Sequence, residues 1–238
     1  MKILSIDSSG LVASVAVMSD GILVGEYTIH NKKTHSQTLL PMISDMLEMA
    51  EVKPEELDCI AVSAGPGSFT GLRIGASTAK GLAWTLGIPI VPVSSLMGLA
   101  ANVQQEGAVV CPIMDARRKQ VYYGIYRING GVPEIIREPA VDSIERAVEQ
   151  AQTAGDEVIY LGDGVPVFKD VIIENSRVPV KFMAPRNCYQ SGASVTALGA
   201  LLFEKGQHVT AEEFAPVYLR KSQAEREREA ALAAEKNT

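Results

Sequence analysis

Two aspartates stand where a strand runs into a turn, and each could serve a phosphate. Asp7 lies in Ile6-Asp7-Ser8-Ser9-Gly10, and Asp115 lies in Ile113-Met114-Asp115-Ala116-Arg117-Arg118. A carboxylate at a strand end, followed by free backbone N–H groups, can meet a metal–phosphate pair: the carboxylate faces the metal and the N–H groups face the phosphate oxygens. The same spacing suits a plain Asx turn, in which the side chain accepts from its own following backbone. Spacing alone favours the turn for Asp7. A third string, Leu161-Gly162-Asp163-Gly164-Val165, places Gly162 and Gly164 where a backbone could approach a base or ribose. Two Asp-bearing turns and a glycine turn together suggest a nucleotide cleft, working or vestigial.

The most unusual string is Ala64-Gly-Pro-Gly-Ser-Phe-Thr-Gly-Leu-Arg-Ile-Gly75. Its glycines and proline precede a helix start, and Thr70 is placed to cap that helix. Free N–H groups there could hold an anion, yet no lysine follows at the spacing of a G-x-x-x-x-G-K-[ST] phosphate loop. A structural loop with close backbone packing is the plainer reading. Another strand-to-helix junction, Ser94-Ser95-Leu96-Met97-Gly98-Leu99, offers no titratable group at a place where enzymes often put one. His30, His35 and His208 show no ligand spacing. Cys59 and Cys111 lie in apolar runs, so the three cysteines, with Cys188, read as small buried hydrophobes rather than as a disulfide framework or a zinc cluster.

These groups need elements to hold them. Residues 2–29 read as three antiparallel strands, with Ser19-Asp20-Gly21 supplying the positive φ that a tight hairpin needs. A helix over 35–50 follows, capped by Thr34 or Ser36, then a buried strand at 58–65, a helix over 72–86 ended by Gly87, a strand at 88–93 and a short helix near 95–104. After Gly107 the order restarts: three strands, a helix near 142–153, a strand ending in the glycine turn, a helix near 165–176, a short strand, and a helix near 192–205. Strands alternating with helices imply parallel pairing. The restart implies a duplicated topology. The expected lobes are 1–106, joined by part of 206–222, and 107–205, with a charged, frayed tail at 223–238.

Composition narrows the class. Hydrophobic residues make up 47% and aromatics only 5%, so the core is aliphatic. The net charge of −6 argues against the whole chain gripping a nucleic-acid backbone, but leaves room for a local basic patch. The opening residues turn polar after six positions and no apolar run reaches ~18 residues, so neither a signal peptide nor a membrane span is expected, and the location expected is cytoplasmic.

Both helices of the first half carry an odd face. On 35–50, Leu39, Leu40, Ile43, Leu47 and Ala50 share one sector, and His35, Met42, Met46 and Met49 the next, an arc wider than one core face requires. On 72–86, Gly71, Gly75, Ala79 and Ala83 form a small-residue stripe, and the lone tryptophan, Trp84, shares a side with Arg73, Ser77 and Lys80. Each glycine costs about 1 kcal/mol against alanine in a helix, so the close approach that it permits should have a use. Packing on the chain's own sheet and packing on a partner's helix both fit.

The strings IDSSG, THSQTLLPMI, SAGPGSFTGLRIG, PVSSLMGLA and DARRKQVYYGIY resemble the TsaB (YeaZ) family, over residues 1 to about 220. The resemblance implies the two-lobed α/β fold of actin, hsp70 and sugar kinases, a duplicated ribonuclease H-like topology. It implies a part in making threonylcarbamoyladenosine in tRNA next to the anticodon, beside the transferring paralogue TsaD and the ATPase TsaE. In TsaD-like chains this strand-to-helix junction resembles V-H-H-M-E-G-H, whose second and last histidines bind the metal. Ser95 and Leu99 stand there instead, and neither replaces an imidazole. Older labels of the family as glycoproteases rest on that missing motif. The resemblance therefore implies a non-catalytic partner that binds no cofactor alone, with ATP and metal used by the other subunits. It also implies that the N-terminal helices pair with TsaD, or with a second copy of the chain. The interface read from periodicity is His35, Leu39, Met42, Met46, Met49, Thr70, Gly71, Gly75, Ala79 and Trp84, and the vestigial cleft is Asp7, Asp115, Gly162 and Gly164. tRNA would be met through the complex. The alternative is an autonomous nucleotide-dependent kinase or hydrolase of the same fold, which would need Asp7 and Asp115 to hold a metal–nucleotide.

Overall fold

The computed structural model describes residues 1–31 and 33–220; the tail at 223–238 lies outside the described residues. The first lobe contains β1 (Lys2–Asp7), β2 (Ala13–Ser19), β3 (Ile22–Ile29), α1 (His35–Met49), β4 (Cys59–Gly65), α2 (Phe69–Leu86), β5 (Ile90–Ser94) and α3 (Ser95–Ala100). The second contains β6 (Val109–Asp115), β7 (Gln120–Asn129), β8 (Val132–Ser143), α4 (Ile144–Ala151), β9 (Val158–Leu161), α5 (Val165–Asn175), β10 (Val180–Phe182) and α6 (Gly192–Glu204). The sheets run β3-β2-β1-β4-β5 and β8-β7-β6-β9-β10, the same order twice. In each, an antiparallel meander joins strands that pair in parallel. This is the duplicated topology that the resemblance implies.

Local chemistry explains the turns. Asp20 and Gly21 take φ of 49° and 79°, and Gly130 and Gly131 take 57° and 76°, the paired positive values of a hairpin whose twist matches its strands. Every residue of β4 is buried, because helices cover both faces of this parallel strand. Gly87, at φ 68°, closes α2. Three boundaries differ from the sequence reading. Helix α2 begins at Phe69, because the Ser68 side chain accepts from the Gly71 N–H at 3.3 Å; Thr70 sits exposed inside the first turn and is not the cap. Thr34 holds the cap position of α1, but its hydroxyl meets Ser36 at 3.0 Å and its carbonyl, not its side chain, takes the Gln37 N–H. Helix α3 stops at Ala100, four residues short of the expected 104.

The lobes exchange their last helices. Helix α3, which follows the first sheet, packs on β6, β7 and β8 of the second, and its Leu96 and Leu99 are fully buried in that lobe's core. Helix α6, which follows the second sheet, packs on β1, β2 and β4 of the first. Hydroxyls fasten it there: Ser5 donates to the Gly192 carbonyl at 2.7 Å, Thr196 donates to Ser5 at 2.5 Å, and Ser14 accepts from the Gly192 N–H at 2.7 Å. Glu26 accepts from Ser191 at 2.8 Å and from the Ala193 N–H at 3.1 Å, a carboxylate at a helix N-terminus. Residues 209–217 return along the first lobe, where Val209 bridges Ile90 and Lys80 donates to the Phe214 carbonyl at 2.9 Å. No helix among the described residues is long and apolar enough to cross a membrane.

Two glycines test this packing in opposite directions. A Cβ on Gly199 of α6 would lie 2.5 Å from that of Ala61 on β4, whereas a Cβ on exposed Gly81 of α2 meets nothing within 4 Å. Gly199→Ala should lower stability by about 1–3 kcal/mol through overpacking. Gly81→Ala should raise it by about 0.5–1 kcal/mol through helix propensity. Urea unfolding of the two variants beside the wild type reads both signs.

Candidate functional site

Asp7 ends β1 fully buried, and its carboxylate is spent on the chain itself. One oxygen accepts from the Ser9 N–H at 2.8 Å and the Ser9 hydroxyl at 2.7 Å; the other accepts from Ser63 at 2.5 Å. Burial pushes the carboxyl above its ordinary range, against the pull of those hydrogen bonds. The turn beyond it is covered. Ser8 donates to the Gly71 carbonyl at 2.9 Å, and the Ser68 N–H donates to the Ser9 carbonyl at 2.7 Å. Gly67, Gly71 and Gly75 lie so close to Ser8 and Ser9 that none has room for a Cβ. His35 completes the cover, with Nε2 2.9 Å from the Gly10 carbonyl, which that nitrogen meets as a donor. The glycine string thus closes over the first Asp turn, as the plainer structural reading of both has it.

In the second lobe, Asp115 accepts from the Arg117 N–H at 2.8 Å, again an Asx turn, and pairs with the Arg117 guanidinium at 3.3 Å. Its own N–H donates to Asp163 at 3.1 Å. Burial pushes Asp163 up to about 6; the bond from Asp115 N–H and the charge of Arg117 pull it down, while the charge of Asp115 raises it. Gly162, at φ 102°, and Gly164 also give their N–H groups to the chain, to the carbonyls of Cys188 and Ile113. No hydrogen bond or ion pair joins Asp7 to Asp115 among the described residues. The side chain of Gln190, buried between the lobes, lies directly over Gly10. A cavity of 490 Å³ opens beside it, lined among others by His30, Asn102, Tyr189 and Gln190, but by none of the four cleft residues expected. The sequence reading missed Ser63, Asp163 and Gln190. Only Asp163 carried a signal, its place between the two glycines already singled out.

The empty-handed junction before α3 is structural. Ser94 caps the helix, accepting from the Met97 N–H at 3.4 Å; Ser95, fully buried, accepts from the Gly65 N–H at 3.2 Å. An occupied hydroxyl at Ser95 and the isobutyl group of Leu99 do not replace imidazole as metal ligands. Among the described residues, no group of three or more His, Cys, Asp or Glu side chains could hold an ion.

Most of the interface read from periodicity faces inward. Leu39, Met42 and Met46 are buried in the first lobe's core, because α1 lies over β2 and β3 and spends its wide apolar arc on its own sheet. Met46 reaches Gly25, where a Cβ would come within 3.0 Å of its sulfur. Gly71 and Gly75 pack on the Asp7 turn, Ala79 is fully buried, and His35 holds Gly10. Left outside are Thr70, Met49 at 74% exposure and Trp84 at 69%. Leu40 is exposed as well, although the reading placed it with the core sector. The outward ridge of α2 is Thr70, Arg73, Ser77, Gly81 and Trp84, adjacent to the stripe that the sequence suggested.

A strained turn lies at the end of β6. Arg117, Arg118 and Lys119 take φ of 64°, 56° and 60° in succession. Left-handed backbone costs a non-glycine residue on the order of 1–2 kcal/mol. All three side chains are exposed.

Comparison with known proteins places the chain among relatives. The family described as TsaD, tRNA N6-adenosine threonylcarbamoyltransferase, matches residues 23–228. A Bacillus subtilis relative, named tRNA threonylcarbamoyladenosine biosynthesis protein TsaB, is 37% identical over 72% of this chain and 75% of its own. The Escherichia coli protein of that name is 31% identical over 94% of this chain and 96% of its own. Two Pseudomonas aeruginosa structures are similar throughout. One, described as resembling the peptidase YeaZ, has a TM-score of 0.80 at 33% identity; the other, YeaZ, has 0.79 at 30%; both comparisons cover 92% of this chain and 99% of the other.

Met46→Asp distinguishes a core methionine from an interface one. A charge at this buried site should cost about 3–5 kcal/mol of folding stability; a well-folded variant with near wild-type thermal unfolding would return Met46 to the surface. Asp163 gives a pH test. Its raised pKa means that the folded chain holds the proton better than the unfolded one, so its contribution to stability is lost as pH climbs from roughly 4 through 6. Asp163→Asn keeps an acceptor for Asp115. It should equal the wild type below about pH 4 and exceed it by about 3 kcal/mol at pH 7, read by urea unfolding across that range.

Proposed function

The chain belongs to the TsaB/TsaD family and acts in the biosynthesis of threonylcarbamoyladenosine in tRNA; from that premise we propose that it is the non-catalytic partner subunit, binding the transferring subunit TsaD and, with it, the ATPase TsaE. The observation that carries this reading is the junction before α3. Where the transferring paralogue places histidines, this chain has a buried serine bonded to Gly65 and a leucine in the core. The two aspartate turns support it further. Their carboxylates and the glycine N–H groups are engaged within the chain, so a nucleotide would have to displace existing hydrogen bonds, each worth about 1 kcal/mol net and more to a charged group. On this reading the chain uses no cofactor of its own, and ATP and metal serve the other subunits. The peptidase description of one relative is not adopted, because the metal-ligand positions are Ser95 and Leu99.

The partner surface proposed is the outer side of α1 and α2. The α2 ridge is small at Thr70, Ser77 and Gly81, and small residues let another helix come close. Trp84 stands at its end, beside a groove formed with Ile88, Pro89, Val209 and Ala211. An exposed tryptophan next to a flat, small-residue ridge suits an interface anchor. The same surface accounts for self-association when TsaD is absent.

The test is light scattering of the chain alone and mixed with TsaD from the same source. A heterodimer is expected. Trp84→Asp, which alters no buried group, should weaken it by about 2 kcal/mol or more, some 30-fold, with unchanged thermal unfolding. A heterodimer of undiminished affinity would move the interface elsewhere, and a chain indifferent to TsaD would end the partner reading.

A further inference from the structure

The turn that joins β6 to β7 concentrates charge in a way that its fold does not require. Three consecutive residues there are left-handed and none is glycine. Glycine or asparagine would form the same turn with less strain, so the cationic side chains are held against a backbone cost. Backbone strain of this kind concentrates at functional sites. All three are exposed, and the acid paired with them is Asp115, on Arg117.

More cations and an aromatic pair adjoin the turn. Arg220 donates to the Ala116 carbonyl, which ties the segment after residue 214 to the base of the turn. Two residues earlier, Tyr218 stacks on Phe69 with ring centroids 4.4 Å apart and planes at 33°. The Arg73 guanidinium sits 4.1 Å from the centre of the Phe69 ring. Val217 anchors the segment through its N–H to the Ala64 carbonyl at 2.7 Å. Tyr218, Arg220, Arg117, Arg118 and Lys119 thus form a line of linked residues from the Phe69 ring to the turn. Tyr218 is 38% exposed. In a chain of net charge −6, this accumulation runs against the composition.

We propose that this line is a contact surface for the sugar–phosphate backbone of the substrate tRNA, with Arg117, Arg118 and Lys119 on phosphates and the Tyr218–Phe69 pair as a stacking platform. The proposal rests on the role in tRNA modification and adds to it a direct contact by this subunit. Cations beside an exposed aromatic ring, Tyr218 backed by the half-buried Phe69, suit RNA, whose phosphates take the charge and whose unstacked bases take the ring. An acidic protein surface would use the cations and leave the platform idle.

The test is fluorescence anisotropy of labelled, unmodified tRNA against the full chain, alone and mixed with TsaD, across a salt series. The triple variant Arg117→Asn, Arg118→Asn, Lys119→Asn removes three charges with a residue that tolerates left-handed backbone. It should weaken tRNA binding at least 10-fold at low salt and flatten the log–log salt slope by about 2 to 3, as loss of three phosphate contacts requires. Arg117→Lys with Arg118→Lys should retain binding within a few-fold. Equal affinity and equal slope for wild type and triple variant overturn the proposal. So does a triple variant that keeps tRNA but loses TsaD or TsaE, which would assign the turn to an acidic protein partner. Light scattering on the same samples reports the subunit reading separately. Should no heterodimer form even for the wild type, the titration on the chain alone decides: a salt-steep affinity that the triple variant loses supports the surface, and no affinity overturns it.

Discussion

The structure depends on the fastening of α6 to the sheet of the other lobe. Each lobe ends in a helix that it gives away, and a helix lying across a sheet must satisfy every polar group that it traps. Helix α6 does so through hydroxyls. Ser5 and Ser14, on neighbouring strands, meet the carbonyl and N–H of Gly192, and Thr196 joins Ser5 one turn further along. Gly192 and Gly199 then bring the helix axis so close that no Cβ fits against Val15, Ala16 or Ala61. Polar satisfaction and close approach support one another here. The hydroxyls reach only because the glycines permit contact, and the contact is tolerable only because the hydroxyls leave no orphan at the helix start. Exchange of α3 in the opposite direction makes the linkage reciprocal, so the interlobe geometry is set by two packed helices.

A fixed interlobe geometry explains the state of the cleft. The sequence reading has the turns after the first strand of each lobe presenting N–H groups and a carboxylate to a phosphate. Here the glycine string of α2 lies on the first turn and Gln190 lies over Gly10. Asp7 shows the energetic consequence. Burial raises its pKa, and Ser9 and Ser63 supply the hydrogen bonds that water otherwise would. The carboxylate has become a strut between β1 and β4. Asp115 keeps some exposure, but it uses the same Asx geometry to hold the turn that bears Arg117. Residue types suited to phosphate chemistry therefore have architectural duties here.

The elements were legible because their signals are local. The paired positive φ at Asp20-Gly21, the αL stop at Gly87 and the restart after Gly107 depend on a few neighbouring residues, and the boundaries moved by one to four positions. What a helix faces depends on the sheet beneath it, and periodicity cannot supply that. Met42 and Met46 lie on an arc too wide for one core face only if the neighbouring strand is ignored; β3 also contacts α1 and provides Gly25 for Met46. The small-residue stripe of α2 was real, but two such stripes run side by side. Gly71, Gly75 and Ala79 turn inward, whereas Thr70, Ser77 and Gly81 turn out. Ser68 outcompeted Thr70 as the cap because the chain enters the helix two residues earlier. Gln190 has no local signal at all; its place over Gly10 arises only when α6 docks.

An interior committed this fully leaves function to the surface. The half-buried His35, the Ser95 hydroxyl and both aspartates are each bonded within the chain. Changing any of them would be felt first as lost stability. The residues that can change without that cost are the outward ridge of α2 and the cationic turn, and both look unusual for inert surface. Trp84 exposes the chain's one indole at the end of a ridge of small side chains, where burying it within the fold would have been favourable. The turn keeps three cations in a backbone state that asparagine would relieve. Apolar exposure and backbone strain are both unfavourable to the isolated chain. That combination fits the partner role proposed for the chain.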